Sequence, residues 1–367
     1  MTKTRVAILF GGRSAEHEVS IRSAHNVANA LDREKYDVLF IGITREGKWL
    51  VDCPPKMLAS CEPQAAIETA ASSVDTRGLP REFAALRARS HSAELPPGID
   101  VLFPVLHGPY GEDGSVQGLA KVVGIPCVGA GVLGSALGMD KDVMKRLLRE
   151  SRIPTPHFLV ERRYSQHTKS YAEVVDVLGA PFFIKPANLG SSVGVCKVTS
   201  NSDYDEALAE AFQFDNKVLL EECIVGREIE CAVLGNEEPI ASVPGEVIVE
   251  SEFYSYDAKY VDADASRLEI PANLNSSTTQ AIQRLAIETF NALCCEGMAR
   301  VDFFLCETGT ILVNEINTIP GFTDISMFPK LWESSGIPLS QILEKLINFA
   351  MQRFQREQSL RTSVSAD

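Results

Sequence analysis

Residues 298–317 read MARVDFFLCETGTILVNEIN, and this stretch says more about the fold than any other part of the chain. Apolar residues dominate 298–306 and 311–316, and the segment 307–309 between them contains residues typical of a tight turn. Such a pattern predicts two strands that lie side by side.

Polar side chains interrupt the apolar pattern at four positions. Side chains two apart on a strand share a face, so we expect Arg300 with Asp302, and Glu315 with Asn317, to project from one side of the two strands. Three of these side chains offer hard oxygen ligands, which suit Mg²⁺ bound together with substrate phosphates. The alternative is a solvated strand face with a salt bridge, but the apolar flanks favour a cleft that holds a divalent metal.

A second motif lies upstream, where Lys185 ends an apolar run and residues 190–194 read GSSVG. We predict an antiparallel hairpin within a small α+β domain here. A lysine beside a Gly/Ser loop offers one positive charge and a row of backbone N–H donors, as a polyphosphate site requires. A solvent-exposed turn explains the same residues equally well.

The N-terminal part alternates apolar runs with helical stretches, and we predict strands at 6–10, 38–43, 100–106 and 125–128 with a helix at 20–31. This pattern is typical of a parallel α/β layer. Such layers bind ligands at the carboxyl ends of their strands, where Glu16 and His107 stand. Glu112 and Ser115 follow in the same loop, and for them helix capping is an equal alternative.

Composition excludes several classes of protein. The 367 residues suggest two or three domains, 45% are hydrophobic and 23% are charged, as in ordinary globular proteins. A formal net charge of −14 argues against a nucleic-acid partner, and no apolar run approaches the roughly 18 residues of a membrane span. Nine irregularly spaced cysteines predict free thiols in a reducing compartment, so we expect a cytoplasmic protein.

Two glycine motifs resemble nucleotide-binding loops without satisfying their requirements. Residues 42–48 match GxxxxGK, but Trp49 stands where a P-loop needs a Ser or Thr, so we predict a plain turn. Residues 129–134 match GxGxxG, the glycine motif of dinucleotide-binding domains. In those domains an acid some 20 residues on ends a strand and binds the ribose, but here Glu150 ends a predicted helix. A domain linker is the favoured interpretation, with a nicotinamide oxidoreductase as the alternative.

Residues 253–260 read FYSYDAKY and show neither a helix nor a strand period. We interpret this aromatic, basic segment as either an active-site lid or a surface turn packed by its own rings.

Taken together and in this order, these motifs resemble the D-alanine:D-alanine ligase family of the ATP-grasp superfamily. The resemblance implies an α/β and α+β multidomain ATP-grasp fold, with an N-terminal α/β domain at 1–130, a central subdomain at 131–222 and a C-terminal subdomain at 223–367. Residues 53–98 would be a partly helical insertion.

The resemblance also implies an activity. ATP with Mg²⁺ or Mn²⁺, as two ions, would phosphorylate the carboxylate of one D-alanine, and the amine of a second D-alanine would attack the acyl phosphate. The dipeptide would serve peptidoglycan precursor synthesis, and the enzyme would be a homodimer.

Site residues carry over by motif. The resemblance places ATP at Lys141, Lys185, Ser192, Glu221, Glu222, Glu228 and Lys259. It places the metal at Asp302, Glu315 and Asn317, and substrate at Glu16, His107, Arg300, Ser326 and Met327. Arg300 and the amides near Gly321 would stabilise the oxyanion, and Glu16, Ser191 and Tyr260 would form a hydrogen-bonded trio. Glu222 departs from the lysine that many relatives carry there.

Other interpretations remain open at this point. The same fold could use D-lactate or D-serine as the second substrate, although Tyr260 in its Tyr-x-Tyr-x-x-Lys-Tyr pattern favours the dipeptide enzyme. A catalytically inactive nucleotide-binding regulator would be expected to lack Asp302, Glu315 and Asn317, which this chain retains.

Overall fold

The computed structural model describes residues 2–61, 96, 98–249 and 266–361. The N-terminal layer comprises β1 (Thr4–Gly11), α1 (His17–Ala30), β2 (Tyr36–Ile43), β3 (Trp49–Val51), α2 (Pro55–Cys61), β4 (Val101–Pro104) and α3 (Ser115–Val123). The strand order is β3-β2-β1-β4, with β1 parallel to both β2 and β4. The predicted parallel α/β layer is therefore confirmed, and β1, β2 and β4 direct their carboxyl ends to one edge.

Two helices and a second sheet follow. These elements are α4 (Val132–Met139), α5 (Lys141–Glu150), β5 (Phe158–Arg162), α6 (Tyr171–Leu178), β6 (Phe182–Pro186), β7 (Cys196–Val198), α7 (Asn201–Phe214) and β8 (Lys217–Glu222). The sheet order is β5-β8-β6-β7, and every neighbouring pair is antiparallel. The predicted hairpin is confirmed, because β6 and β7 flank the GSSVG loop.

The third sheet carries the stretch from which the sequence analysis began. Its elements are β9 (Gly226–Gly235), β10 (Ile240–Ala241), β11 (Gly245–Val249), β12 (Ser266–Glu269), α8 (Ser276–Ala292), β13 (Gly297–Cys306), β14 (Ile311–Asn317), α9 (Met327–Ser334) and α10 (Leu339–Gln358). The order is β12-β11-β9-β13-β14, and β10 pairs with β9. The paired strands predicted at 298–306 and 311–316 are confirmed as β13 and β14.

One apolar core joins the first and third sheets. Buried residues of β1 and β4, such as Val6 and Phe103, belong to the same cluster as Trp332 of α9 and Leu346 of α10. The C-terminal helix thus packs against the N-terminal layer as well as its own sheet. No helix in the described ranges has the length and apolar character needed to cross a membrane.

The structure corrects one predicted strand. Residues 125–128 form no strand, because only a single parallel bridge links Cys127 to Leu102. The GxGxxG segment at 129–134 leads into α4, which begins after Gly131, and its role as a domain linker stays a prediction. Gly134 lies where its helix touches the backbone after α8, since a Cβ there would stand 2.7 Å from the carbonyl oxygen of Cys294.

The P-loop motif is a turn, as predicted. Residues 44–48 connect β2 to the antiparallel β3, and the Thr44 amide donates to the Lys48 carbonyl at 2.9 Å. Helices α3, α4 and α9 and strands β3 and β12 were not predicted. The three domains of the sequence analysis remain a prediction.

Candidate active site

Strands β13 and β14 bring the four polar side chains of the starting stretch together. Their register pairs Arg300 with Asn317 and Asp302 with Glu315. The Arg300 guanidinium donates to both oxygens of Asp302, at 2.7 and 2.8 Å, and the Asn317 amide donates to Asp302 at 3.0 Å. Period-two alternation predicted this convergence, since each side chain projects from the same face of a paired strand.

Glu230 was missed by the sequence analysis. It lies on β9 directly opposite Asp302, and its carboxylate is 2.8 Å from the Nε of Arg300. Two carboxylates, Glu230 and Asp302, therefore hold one guanidinium. The sequence did indicate that Glu230 shares a face with Glu228, because the two residues are two apart on a strand.

Lys141 connects this acidic cluster to the glycine-rich loop. Its ammonium lies 3.1 Å from Glu315 and donates to the Leu189 carbonyl at 2.7 Å. Lys141 is the first residue of α5, whose N-cap Asp140 accepts from the Val143 amide. The helix start thus fixes the lysine between β14 and the loop at 190–194.

A second cluster contains Lys185, Glu221 and the unpredicted Lys145. Lys185 of β6 and Lys145 of α5 each contact one oxygen of the Glu221 carboxylate, with 2.7 Å between Lys145 and Glu221. Burial acts to raise the pKa of Glu221, but the two ammonium charges outweigh it and hold that pKa well below its usual value. Burial lowers the pKa of Lys145.

The Glu222 carboxylate also has a structural partner, because it accepts a hydrogen bond from the His157 amide at 2.7 Å. Both acids predicted at the adenine site thus use their side chains within the protein. Contact of Glu221 and Glu222 with adenine stays a prediction.

Glu16 and the glycine-rich loop meet across the cleft. The Ser191 hydroxyl donates to the Glu16 carboxylate at 2.6 Å, and both Ser191 and Ser192 adopt positive φ angles of 53° and 58°. The structure thus joins two members of the predicted trio. Tyr260 and Lys259, with the rest of the predicted lid at 253–260, lie outside the described residues.

His107 and Glu112 form the wall on the N-terminal side. His107 is 6% exposed, and burial lowers its pKa, so the imidazole is neutral near pH 7. Glu112 accepts from the Gly108 amide at 2.6 Å and from the Ile319 amide at 3.4 Å. Burial, reinforced by the neighbouring Glu16 charge, raises the pKa of Glu112 to about 8.

Helix capping does not explain Glu112 or Ser115. The N-cap of α3 is Gly114, which has no side chain that could accept a capping hydrogen bond. Glu112 instead connects the loop that follows β4 to the loop that follows β14. Ser115 is the first residue of the helix, and its amide donates to Asp113 at 2.9 Å.

The loop after β14 is fixed by α1. The Phe322 amide donates to the Ser23 hydroxyl at 3.1 Å, and the Asn26 side chain donates to the Phe322 carbonyl. Gly321 is required for close approach, because a Cβ there would stand 2.7 Å from the Ser326 hydroxyl oxygen. Ser326 in turn accepts from the Thr323 amide at 3.0 Å, so the loop backbone is held against the cleft.

These elements line one open cleft, which has about 880 Å³ of empty space when the solvent at its mouth is included. Its lining includes Glu16, His107, Glu112, Ser191, Glu230, Arg300, Glu315, Asn317, Ile319, Gly321, Thr323 and Ser326. Met327 also lines it, at the start of α9. Lys141 lies in a smaller adjoining cavity of about 320 Å³, which shares Glu112, Glu315 and Asn317 with the cleft.

The chemistry of the donor set fits a divalent metal bound together with phosphates. In the described part of the chain, no three His, Cys, Asp or Glu side chains are grouped so that they could hold an ion by themselves. Asp302 and Glu315 supply two carboxylates at paired positions, and Asn317 adds an amide. Mg²⁺ typically uses one or two carboxylates and completes its shell with water and substrate phosphates.

Comparison with known families agrees with this geometry. A model of the D-ala D-ala ligase N-terminus matches residues 5–130, and one of the D-ala D-ala ligase C-terminus matches residues 147–348. A D-alanine–D-alanine ligase of Shouchella clausii (strain KSM-K16) is 47% identical over 365 residues, which cover 99% of each chain.

Solved structures resemble the chain over nearly its whole length. The D-alanine-D-alanine ligase from Coxiella burnetii is 36% identical with a TM-score of 0.81, and the match covers 98% of this chain and 97% of that one. The VanG D-Ala:D-Ser ligase from Enterococcus faecalis is 33% identical with a TM-score of 0.78, covering 95% and 100%. The chain belongs to the D-alanine–D-alanine ligase family and has its ATP-grasp architecture.

Proposed function

We propose that the cleft binds ATP and two D-alanine molecules and joins them into D-alanyl-D-alanine, releasing ADP and phosphate. The observation that carries this proposal is the convergence of Arg300, Asp302, Glu315 and Asn317 on one strand pair, with Lys141 beside them. Cations and hard oxygen ligands around one cleft are what phosphoryl transfer requires. The product would supply peptidoglycan precursor synthesis, as membership of the family suggests.

ATP would lie between the second and third sheets. Lys141 and Lys185 would neutralise its phosphates, and Ser192 would act from the loop at 190–194. The backbone at Glu221 and Glu222 would meet adenine, and Glu228, which lies on β9 opposite Phe304, would meet the ribose. Lys259 would act from the lid.

Asp302, Glu315 and Asn317 would hold Mg²⁺ or Mn²⁺, as two ions in this proposal. When bound, the metal would supply positive charge to the phosphates. Arg300 is positioned by the protein itself, because the carboxylates of Asp302 and Glu230 both contact its Nε.

The first D-alanine would lie beside Glu16 and His107. A carboxylate oxygen of this substrate would attack the γ-phosphorus of ATP, and ADP would leave with the electrons of the broken P–O bond. Glu16 would bind the substrate ammonium group, and the neutral imidazole of His107 would hydrogen-bond to the substrate without adding charge. Ser191 fixes the Glu16 carboxylate by donating to it.

The second D-alanine would be held by Ser326 and Met327. Its amine, after losing a proton, would attack the acyl carbon, and the phosphate would leave from the tetrahedral intermediate. Arg300 and the amides near Gly321 would stabilise the oxyanion, since donors aimed at developing charge lower the barrier most. Contact among Glu16, Ser191 and the lid residue Tyr260 would exclude water, which would otherwise hydrolyse the acyl phosphate.

Phosphate release with ATP tests the proposal across four substrates: D-alanine, L-alanine, D-serine and D-lactate. We expect turnover with D-alanine alone and no increase with the L isomer. D-serine and D-lactate are each tested together with D-alanine, to find out whether either can replace D-alanine as the second substrate. One of the similar solved structures is a D-Ala:D-Ser ligase, which is why this comparison is included. Equal release with L-alanine, or faster release with D-lactate or D-serine, would contradict the assignment.

We infer a homodimer in the cytoplasm. Eight cysteines whose state the structure describes are free thiols, which supports a reducing compartment. Sedimentation of the purified protein measures the oligomeric state.

A further inference from the structure

Lys145 is a buried cation that the proposed function does not use. Its side chain is 0% exposed, and it extends from α5 into the second sheet. A charged group so far from water is retained only where a partner balances it, because removing charge from water carries a large free-energy cost. Its partners are the Glu221 carboxylate at 2.7 Å and the Thr155 hydroxyl at 3.5 Å.

The Glu221 carboxylate is shared between two lysines. One of its oxygens contacts Lys145, and the other contacts Lys185. Lys145 and Glu221 are 0% and 1% exposed, whereas Lys185 is 15% exposed. The order from the interior outward is therefore Lys145, Glu221, Lys185, and Lys185 is the member that reaches solvent.

The charges of this cluster do not cancel. Two ammonium groups and one carboxylate give a net charge of +1, whereas Lys185 and Glu221 without Lys145 would sum to zero. A lysine neutralised by a contacting carboxylate attracts phosphate weakly, because the two charges oppose each other at nearly the same distance from the ligand. Burial strengthens the effect, since little water screens it.

We propose that Lys145 is a positioning residue that acts through Glu221: its buried ammonium balances the carboxylate, so that Lys185 keeps a net positive charge for nucleotide phosphates. This inference rests on the proposed placement of the ATP phosphates at Lys185. Lys145 itself touches no ligand in this arrangement, because it is enclosed by protein on all sides.

Binding of adenosine and of ATP with Mg²⁺, measured by calorimetry, separates the phosphate contribution from that of the base. The quantity compared is the ratio of the two dissociation constants within each variant, so a change at the adenine contact cancels. We call the dissociation constant of adenosine divided by that of ATP the ATP preference. For Lys145→Met we expect the ATP preference to fall by about 10-fold or more, a typical size for coupling between sites. Adenosine affinity should stay within about threefold of wild type, a shift well below that coupling range.

The double variant Lys145→Met/Glu221→Gln provides the decisive control. It removes one positive and one negative charge, so Lys185 again carries a net +1, and we expect the ATP preference to return to within about threefold of wild type. If Lys145 only supported the fold, adenosine and ATP binding would weaken together in Lys145→Met, and the ratio of the two dissociation constants would stay at the wild-type value. Replacing both members of a buried pair by neutral residues is tolerated better than removing one, so the double variant carries the test if Lys145→Met does not fold.

Two results would overturn the inference: an unchanged ratio in Lys145→Met, or a ratio in the double variant that remains about 10-fold below wild type. Failure of the proposed function looks different, because wild-type protein would then bind ATP no more tightly than adenosine. Unfolding in urea, followed by circular dichroism, shows that each variant compared is folded.

Discussion

At the scale of single residues, the candidate site consists of charges that hold one another. Arg300 is held by Asp302 and Glu230, Lys141 contacts Glu315, and Ser191 donates to Glu16. Arg300, Lys141 and Glu16 are therefore each oriented by a protein partner before substrate arrives. Such preorganisation reduces the reorganisation needed during the reaction.

Glu315→Gln tests the metal assignment. The change removes one negative charge at nearly constant volume, so we expect kcat to fall about 100-fold or more while the fold is retained. Phosphate release measures kcat, and urea unfolding shows whether the fold is retained. Glu307→Gln, at the exposed turn between β13 and β14, is the matched control and should leave both unchanged. Normal turnover in Glu315→Gln would remove Glu315 from the metal site.

At the scale of helices and strands, glycines and caps decide where elements begin and how closely they pack. The GxGxxG motif is explained this way, since Gly131 is the N-cap of α4 and Gly134 lets that helix approach the end of α8. The motif thus serves close packing of helices in this chain.

Two Gly→Ala changes should have opposite effects on stability. In Gly134→Ala the new methyl would meet the Cys294 carbonyl oxygen at 2.7 Å, so we expect a loss of about 1–3 kcal/mol. Gly118 of α3 has no atom within 4 Å of an added Cβ, so Gly118→Ala should gain about 0.5–1 kcal/mol from helix propensity. Urea unfolding measures both, and a neutral Gly134→Ala would contradict the close approach.

Asp203 in the first turn of α7 gives a pH-dependent prediction. Hydrogen bonds from Thr199 and Ser200 lower its pKa to about 2. In the unfolded chain an aspartate has a pKa of about 3.9. Because the pKa of Asp203 is lower in the folded protein, its ionised carboxylate stabilises the fold above about pH 3.9, and this stabilisation is lost as the pH falls toward 2.

For Asp203→Asn we therefore expect a thermal midpoint a few degrees below wild type at pH 7, with the difference shrinking between pH 4 and pH 2. Scanning calorimetry at several pH values makes the comparison. The exposed Asp205, two residues on, is the control, and Asp205→Asn should show no such trend. A difference that is constant with pH would refute the role of the charge.

At the scale of the whole molecule, the C-terminal helix connects the first and third sheets. Arg353 of α10 donates to the carbonyls of Gly129 and Cys127, at 2.6 and 2.7 Å, across 224 and 226 residues of sequence. Since the side chain is 9% exposed, these bonds lie away from water and are poorly replaced by it.

Arg353→Met should destabilise the protein by about 2–4 kcal/mol, because two buried carbonyl groups lose their donor. Arg356, one turn on, forms more exposed ion pairs with Glu237 and Glu296, so Arg356→Met should lose about 1 kcal/mol or less. The free energy of unfolding in urea is the measurement. Equal losses in both variants would show that burial of Arg353 is unimportant.

Local periodicity was enough to predict several parts of this protein. Alternation along β13 and β14 predicted their pairing and the convergence of Arg300, Asp302 and Asn317, because side-chain direction on a strand has a fixed period of two. Motif order indicated the family. The P-loop match at 42–48 was rejected from one residue, Trp49, and the turn there agrees.

Contacts between charges far apart in the chain become visible only in the folded protein. Lys145 lies in an ordinary helical sequence that gives no local sign of its partner. Alternation places Glu230 on one face of its strand, but it does not show that β13 lies beside that strand. Residues 125–128 have the composition of a strand but pair with β4 through one bridge, between Cys127 and Leu102. Such pairings depend on burial and on contacts between segments far apart in the chain, which periodicity does not encode.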